Sequence, residues 1–286
     1  MKPYEFEYLR PSSLEEAMQM LAEHGEEAKL LAGGQSLLAT LNMRLSAPAY
    51  LVDIGNLEEM NSIHEHDGML RIGGLCRHAE IQASSLVGEH VPLLHTAIEH
   101  VAHAAIRNRG THGGSIAFAD PAAEIPACVV ALDATLTLCS AEKERRVQAG
   151  DFFKDLYETD LAENEIVKYI DYPLGNKGSV FAFREFARRK GDFATAGLAL
   201  HGEMEDGVVT SLRPVFFGVG NSPQLAVKVS ELFKGQKIEA GLITEARNLL
   251  GSDIEIIGDV YAGSAMKQQL CEHFLTQALE EIAELV

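Results

Sequence analysis

Two short glycine-paired segments constrain this chain more than any other feature: Ala32-Gly33-Gly34-Gln35-Ser36 and Thr111-His112-Gly113-Gly114-Ser115. Gly33 and Gly113 stand 80 positions apart. Each segment is expected between a strand and a helix, with φ > 0 open to its glycines and no Cβ to obstruct a ligand. Backbone N–H groups beside a Ser or Thr hydroxyl form a concave donor surface suited to phosphate. A helix that follows adds the partial positive charge of its N-terminus. A single Gly-Gly pair is commonly no more than a tight turn. Two in the same setting suit the two phosphates of a pyrophosphate, held from opposite sides.

The residues after the second segment extend the candidate site. Ala119-Asp120-Pro121-Ala122-Ala123-Glu124 places carboxylates at Asp120 and Glu124, one helical turn apart. A carboxylate beside a dinucleotide commonly accepts from a ribose or adenine group. Asp120 also precedes a proline at a first helical position, so helix capping is expected of it. For Glu124 the competing reading is a solvated surface charge.

Composition removes other function classes. The chain has 286 residues, a length that fits two or three domains. Its 24 basic and 42 acidic residues leave a formal charge of −18, which disfavours nucleic acid and anionic lipid as partners. No apolar run reaches the roughly 18 residues of a membrane span. No signal-peptide pattern follows Met1, so a cytoplasmic protein is expected. The string nearest to a Rossmann fingerprint, Gly218-Val219-Gly220-Asn221-Ser222-Pro223, has proline where the third glycine belongs. Walker, H-E-x-x-H and G-x-S-x-G patterns are missing from the sequence. Cys76, Cys128, Cys139 and Cys271 form no C-x-x-C pair; reduced, buried thiols are expected and no iron–sulfur cluster. His95, His100 and His103 share one expected helix with no further ligand nearby, so no metal site is assigned. No catalytic acid–base pair is assigned either.

Hydrophobic periodicity divides the chain into three parts, 1–55, 56–176 and 177–286. The first reads as β-α-β-α-β, with strands over 4–9, 29–32 and 50–53. A Ser12–Glu15 capping box opens its first helix, Gly25 ends it, and a second helix covers 37–45. In the second part strands are expected over 69–72, 135–138 and 165–172, and helices over 78–83, 91–104 and 122–132. Residues 106–114 read as a loop, and His64 and His66 as an exposed turn. The third part shows three antiparallel strands over 179–186, 195–204 and 208–219, with Asp206-Gly207 as a hairpin turn. Helices over 223–233, 240–250 and 261–285 close the chain. The expected class is α+β: two α/β subdomains, then an α+β domain of a three-stranded antiparallel sheet and three helices.

Several strings also resemble a known family. Leu31-Ala32-Gly33-Gly34-Gln35-Ser36-Leu37, with Arg44-Leu45 after it, resembles the first FAD signature of the flavoprotein subunits of molybdenum hydroxylases. That family includes xanthine dehydrogenase, aerobic CO dehydrogenase and quinoline oxidoreductase. Ile106-Arg107-Asn108-Arg109-Gly110-Thr111, continued through Ser115 and Ala119 to Glu124, resembles the second signature. The run from Phe183 to Ala194 resembles the opening of the family's C-terminal domain, and Gly258 to Ala265 the approach to its last helix. Two departures stand out. His112 occupies an ordinarily aliphatic position, where it is expected to alter packing near the phosphates or to carry a pH-dependent charge. Met266-Lys267 stands near a typical Tyr-Arg pair.

The resemblance implies a PCMH/VAO-type FAD-binding fold. It implies FAD on this chain, its pyrophosphate between Ala32–Ser36 and Thr111–Ser115, with Asp120 and Glu124 near the adenosine and ribitol portions. It implies Ile166 near the ring system and Arg184 as a basic position near the flavin. The chain would be the medium subunit beside a large molybdopterin subunit and a small [2Fe–2S] subunit, in a dimer of heterotrimers. Substrate would be hydroxylated at molybdenum, and electrons would pass through the clusters to FAD and an external acceptor. Gln35 and Ser115 lean toward an N-heteroaromatic or aldehyde substrate rather than carbon monoxide. Two other readings stay open: a stand-alone FAD-dependent oxidoreductase of related fold, and a non-catalytic nucleotide-binding module.

Overall fold

A computed structural model of the chain describes residues 2–285. The first and last residues, which the outer domain boundaries include, lie outside them.

The N-terminal part runs β1 (Glu7–Leu9), α1 (Leu14–His24), β2 (Ala28–Leu31), α2 (Leu37–Asn42) and β3 (Tyr50–Asp53). Its three strands are parallel, in the order β1-β3-β2. α1 buries Leu14, Ala17 and Leu21, spaced along one helical face. The expected Ser12–Glu15 capping box does not form: Ser13 caps the helix, its Oγ accepting from Glu16 N, while the Glu16 carboxylate accepts from Ser12 N and Oγ rather than from Ser13 N. Ser12-Ser13 followed by Glu15-Glu16 offers two registers, and the cap at Ser13 makes Leu14 the first helical residue.

The middle part is β4 (Ile63–His66), β5 (Met69–Gly73), α3 (His78–Ala83), α4 (Ser85–His90), α5 (Pro92–Ile98), α6 (Ala104–Arg107), α7 (His112–Phe118), α8 (Glu124–Ala131), β6 (Thr135–Cys139), β7 (Glu144–Gln148), α9 (Ala149–Phe152), β8 (Phe153–Asp155), β9 (Glu158–Thr159) and β10 (Ile166–Pro173). The main sheet, β4-β5-β10-β6-β7, is antiparallel throughout. Its inner three strands are the apolar ones expected. The two edges were not: His64 and His66 belong to β4, and the turn falls at Asp67-Gly68. β7, Glu-Arg-Arg-Val-Gln, is a charged edge with little apolar signal. The helix expected over 91–104 stops at Ile98: Glu99, His100 and Val101 tighten to bonds three residues back, and Ala102 at φ 41 separates them from α6.

The C-terminal part is β11 (Ser179–Phe186), β12 (Ala196–Glu205), β13 (Val208–Phe217), β14 (Gln224–Leu225), α10 (Val227–Phe233), α11 (Ala240–Leu250) and α12 (Ser264–Leu285). Asp206 and Gly207, at φ 51 and 76, make the expected hairpin turn. The sheet has four strands rather than three; the two-residue β14 is too short to show a period. α12 starts at Ser264 rather than 261, since the Tyr261 and Ala262 N–H groups donate to Asp259 Oδ1 in a turn.

This last sheet is buried on both faces. Ala196, Leu198, Leu200 and Phe216 join the core under α10–α12, while Phe183, Ala199, Val215 and Phe217 join the core of the middle part. Each buried Leu, Val or Phe side chain contributes about 1.5–3 kcal/mol by leaving water, so the sheet is fastened to the middle part as well as to its own helices.

The entry into β10 is held by charge. Arg145 forks onto Glu165, both contacts at 2.7 Å, and reaches Asp160 at 2.6 Å. Its guanidinium holds both carboxyls below their usual range. Glu165 is buried, so Arg145→Met strands an unpaired charge and should cost about 3 kcal/mol, the low end for a buried pair because Arg145 is partly solvated. Since the folded-state pKa of Glu165 is lowered, this stability is present above about pH 4.5 and is lost as pH falls. The Tm gap between wild type and Arg145→Met should therefore be several degrees at pH 7 and narrow below about pH 4. A gap independent of pH would contradict the assignment.

Candidate cofactor site

The first glycine segment leads from β2 into α2, and Gly34 takes φ 71 there. The second has a different shape from the one expected. It follows the short helix α6 rather than a strand, and α7 already begins at His112, so Gly113 and Gly114 form its first turn without positive φ. Thr111 Oγ1 caps α7 by accepting from Gly114 N at 3.3 Å, and Ser115 N donates to Thr111 O. Gly113 is required by contact instead of by φ. Its N–H donates to Gly74 O at 2.8 Å, and an added Cβ would stand 2.8 Å from that same oxygen. His112 N to Cys76 O and His78 N to Gly110 O complete this seam with the chain after β5.

The two segments touch. A Cβ on Gly33 would lie 2.2 Å from Arg109 O and 2.8 Å from Gly110 Cα. A Cβ on Gly114 would stand 3.9 Å from Ala32 Cβ. Their donors are used differently. In the second segment His112, Gly113, Gly114 and Ser115 all donate within the chain. In the first, the N–H groups of Gly33, Gly34, Gln35 and Ser36 find no acceptor among the described residues, and the Gln35 side chain folds back onto Gly33 O. α2 and α7 are only six and seven residues long, so these unspent N–H groups outweigh any helix dipole.

The carboxylates behave differently from surface acids. Asp120 caps no helix: Oδ1 accepts from Ala122 N at 2.9 Å, Tyr157 donates to Oδ2, and α8 starts only at Glu124. Burial raises its carboxyl. Glu124 is buried, which overturns the solvated reading; burial, then the charge of Glu185, push it up to about 8. Glu185, which sequence reasoning missed, is pushed up to about 7 by burial. Alternation along β11 was the available signal, since it sets Glu185 on the face of apolar Phe183.

The remaining expected residues divide. His112 is fully buried, and its Nε2 shares a 2.6 Å hydrogen bond with the Tyr172 hydroxyl. Burial lowers its pKa to about 3, so it packs the core as a neutral ring and the expected charge is overturned. Ile166 lies in the apolar cluster with Met60, Leu75 and Cys139, under the first sheet. Arg184 donates to Phe183 O and pairs with Glu281 of α12. That is the face of β11 opposite Phe183 and Glu185, so the structure does not bring Arg184 to the glycine segments. Lys267 has a structural use: Nζ donates to Gly218 O and pairs with Asp259, each at 2.7 Å, while Gly218 N donates to Pro121 O.

Comparison with known proteins decides the family. Residues 4–175 match the FAD binding domain in molybdopterin dehydrogenase, and residues 181–282 match the CO dehydrogenase flavoprotein C-terminal domain. The chain belongs to the FAD-binding family of molybdopterin dehydrogenases. It is 34% identical over 283 residues to the glyceraldehyde dehydrogenase medium chain of Sulfolobus acidocaldarius, covering 99% of this chain and 100% of that one. Among solved structures it superimposes on carbon monoxide dehydrogenase from Hydrogenophaga pseudoflava with a TM-score of 0.95 at 32% identity, covering 98% of each chain. Against quinoline 2-oxidoreductase from Pseudomonas putida 86 the TM-score is 0.93 at 33% identity, covering 99% of each. The fold is thus that of the family's FAD-binding medium chains, and the cofactor is FAD.

The contact beneath Gly33 yields a test. Gly33→Ala must push Arg109 and Gly110 back by backbone movement, at about 1–3 kcal/mol, and should lower FAD affinity by roughly tenfold or more. Far-UV circular dichroism should change little. Unaltered flavin content in Gly33→Ala would show that the two segments do not act together.

Proposed function

We propose that this chain is the electron-transfer medium subunit of a molybdenum-containing hydroxylase. It would stand beside a large molybdopterin subunit and a small subunit carrying [2Fe–2S] clusters, passing electrons from the clusters through FAD to an external acceptor, in a dimer of heterotrimers in the cytoplasm. The observation that carries the reading is the contact of two glycine segments, one of which keeps four adjacent N–H groups unspent. Such a donor array fits a pyrophosphate. Bound FAD supplies one- and two-electron exchange, so the chain itself needs no acid–base catalyst.

The chain's residues take the remaining roles. Gly33, Gly34, Gln35 and Ser36 offer backbone donors to phosphate from one side, with Ala32 beneath them. Thr111, Gly113, Gly114 and Ser115 present a capped helical turn from the other. Asp120, in the turn before α8, and Glu124, at its start, stand near the adenosine and ribitol portions. Cys76, Cys128, Cys139 and Cys271 are free, buried thiols, and no three His, Cys, Asp or Glu side chains are grouped to hold a metal among the described residues. In this reading the clusters and molybdenum are carried by the partner subunits. No described helix is long and apolar enough to cross a membrane.

For the substrate of the complex we favour an N-heteroaromatic compound, on Gln35 and Ser115. The relatives named for an aldehyde, carbon monoxide and quinoline are equally similar, so overall identity does not choose.

Two measurements test this. Acid release and mass analysis should recover FAD from the purified chain, whereas FMN alone would refute the pyrophosphate site. Anaerobic addition of N-heteroaromatics or aldehydes should bleach the flavin only when the co-purifying partners are present. Equal turnover by the isolated chain would replace the subunit reading with a stand-alone oxidoreductase.

A further inference from the structure

The chain that follows β5 braces the second glycine segment. Gly113 N donates to Gly74 O at 2.8 Å, His112 N to Cys76 O at 2.9 Å and His78 N to Gly110 O at 3.0 Å, while Arg77 and Thr111 pair as an antiparallel bridge. Arg77 is the N-cap residue of α3, and its backbone N–H donates to Glu80 Oε2 at 2.7 Å. Its side chain turns elsewhere: Nη1 donates to Arg109 O at 2.7 Å. That oxygen is the atom a Cβ on Gly33 would meet at 2.2 Å. One carbonyl oxygen thus lies between a guanidinium and the start of the first segment, where four adjacent N–H groups are unspent. Arg71, Arg145, Arg184 and Arg213 each pair with a carboxylate, whereas half-buried Arg77 pairs with none among the described residues. A chain with 42 acidic and 24 basic residues has carboxylates to spare, yet leaves this cation unpaired beside an unsatisfied donor array.

We propose that Arg77 is a positioning residue of the FAD site: through the Arg109 carbonyl it holds the second segment against Gly33, and its uncancelled positive charge favours the pyrophosphate. The proposal rests on the placement of that pyrophosphate between the two segments. A guanidinium suits the task better than an ammonium. It is planar, so one N–H can bond the carbonyl while others on the same fork stay available to an anion. Bonds to an ionised donor are also stronger than those between neutral groups, which keeps the Arg109 carbonyl in place before the dinucleotide arrives. A segment ordered in advance loses less freedom on binding, so the contact acts on affinity more than on the fold. The first segment supplies neutral donors, and Arg77 adds charge from the seam beside it.

The test uses the full chain freed of flavin, with Arg77→Lys, Arg77→Gln and Arg77→Met. The probes are FAD, followed by flavin fluorescence, and ADP, which keeps the pyrophosphate and lacks the flavin, followed by calorimetry. At low salt Arg77→Gln and Arg77→Met should bind both probes roughly fivefold more weakly than wild type, and Arg77→Lys within about twofold of it. Wild type and variants share the general repulsion of an acidic chain, so the ratio of their affinities isolates the charge at position 77. That ratio should shrink toward one at about 1 M salt, where screening acts within about 3 Å. A side chain that merely braced a carbonyl would give the same ratio at every salt concentration. Should Arg77→Met fail to fold, the Lys and Gln variants decide the matter, since both keep a donor and differ in charge. Undiminished affinity in Arg77→Gln, a salt-independent loss, or no rescue by lysine overturns the proposal. A loss seen with FAD and not with ADP overturns the link to the pyrophosphate. Failure of the wild type to bind either probe overturns the reading of the site itself, whatever the variants do.

Discussion

The approach of Gly33 to the Arg109–Gly110 backbone is the constraint on which the rest of this structure depends. A side chain at position 33 would occupy the space of a carbonyl oxygen. Because backbone meets backbone there, the second segment lies beside the N–H groups of the first without satisfying them. Half-buried donors left in that state are stabilised by an anion far more than by another part of the protein. The surrounding seams keep the two segments at this separation. Gly113 is bonded to Gly74, His112 to Tyr172 of β10, and Pro121 to Gly218. Gly218 is in turn held by Lys267 of α12. The C-terminal domain therefore acts on the site through a continuous path, although its sheet contributes no glycine segment.

The parts of this arrangement that were legible in the sequence are those governed by short-range periodicity. The β-α-β-α-β unit, the three inner strands of the middle sheet and the long hairpin at Asp206-Gly207 all follow from apolar spacing and turn chemistry. Where the pattern is polar, the reading failed. β4 and β7 are charged edge strands, which exist because a neighbouring strand offers its unpaired N–H and C=O groups. Ser13 rather than Ser12 caps α1, since Ser12-Ser13 before Glu15-Glu16 leaves two registers open and the sequence motif does not choose between them.

The site was legible in its residue types and only partly in their reasons. Gly113 and Gly114 belong there, yet they are glycines because of close approach to Gly74 and to the Thr111 cap, not because of φ. Glu124 looked like a solvated charge because a sequence window of ten residues cannot show that β12 and β13 cover α8. Glu185 was passed over for the same reason, since α5, which packs on β11, lies far earlier in the chain. Long-range burial decided each of these cases, and a single sequence carries little trace of it. Ile166 and Arg184 were placed by resemblance alone; the structure sets the first in an apolar core and turns the second toward α12.

Electrostatics tie these observations together. A chain with a formal charge of −18 must accept a dianionic group. The long-range repulsion is modest, because salt screens exposed charges beyond about 8 Å. The local problem is harder, since the nearby acids are themselves buried. The chain meets it with neutral groups almost throughout. Unspent backbone amides supply the donors of the first glycine segment, with the Arg77 guanidinium reaching the Arg109 carbonyl beside it, and Arg184 faces the other way. His112 is held as an uncharged ring, so the second segment gains shape from it and no titrating charge. Burial favours protonated Glu124 and Glu185, and the charge of Glu185 adds to the rise at Glu124, which removes negative charge without a counterion. A site assembled this way depends on geometry more than on ion pairing. That is why a carbonyl 2.2 Å from an absent Cβ matters more here than any one of the chain's 24 basic side chains.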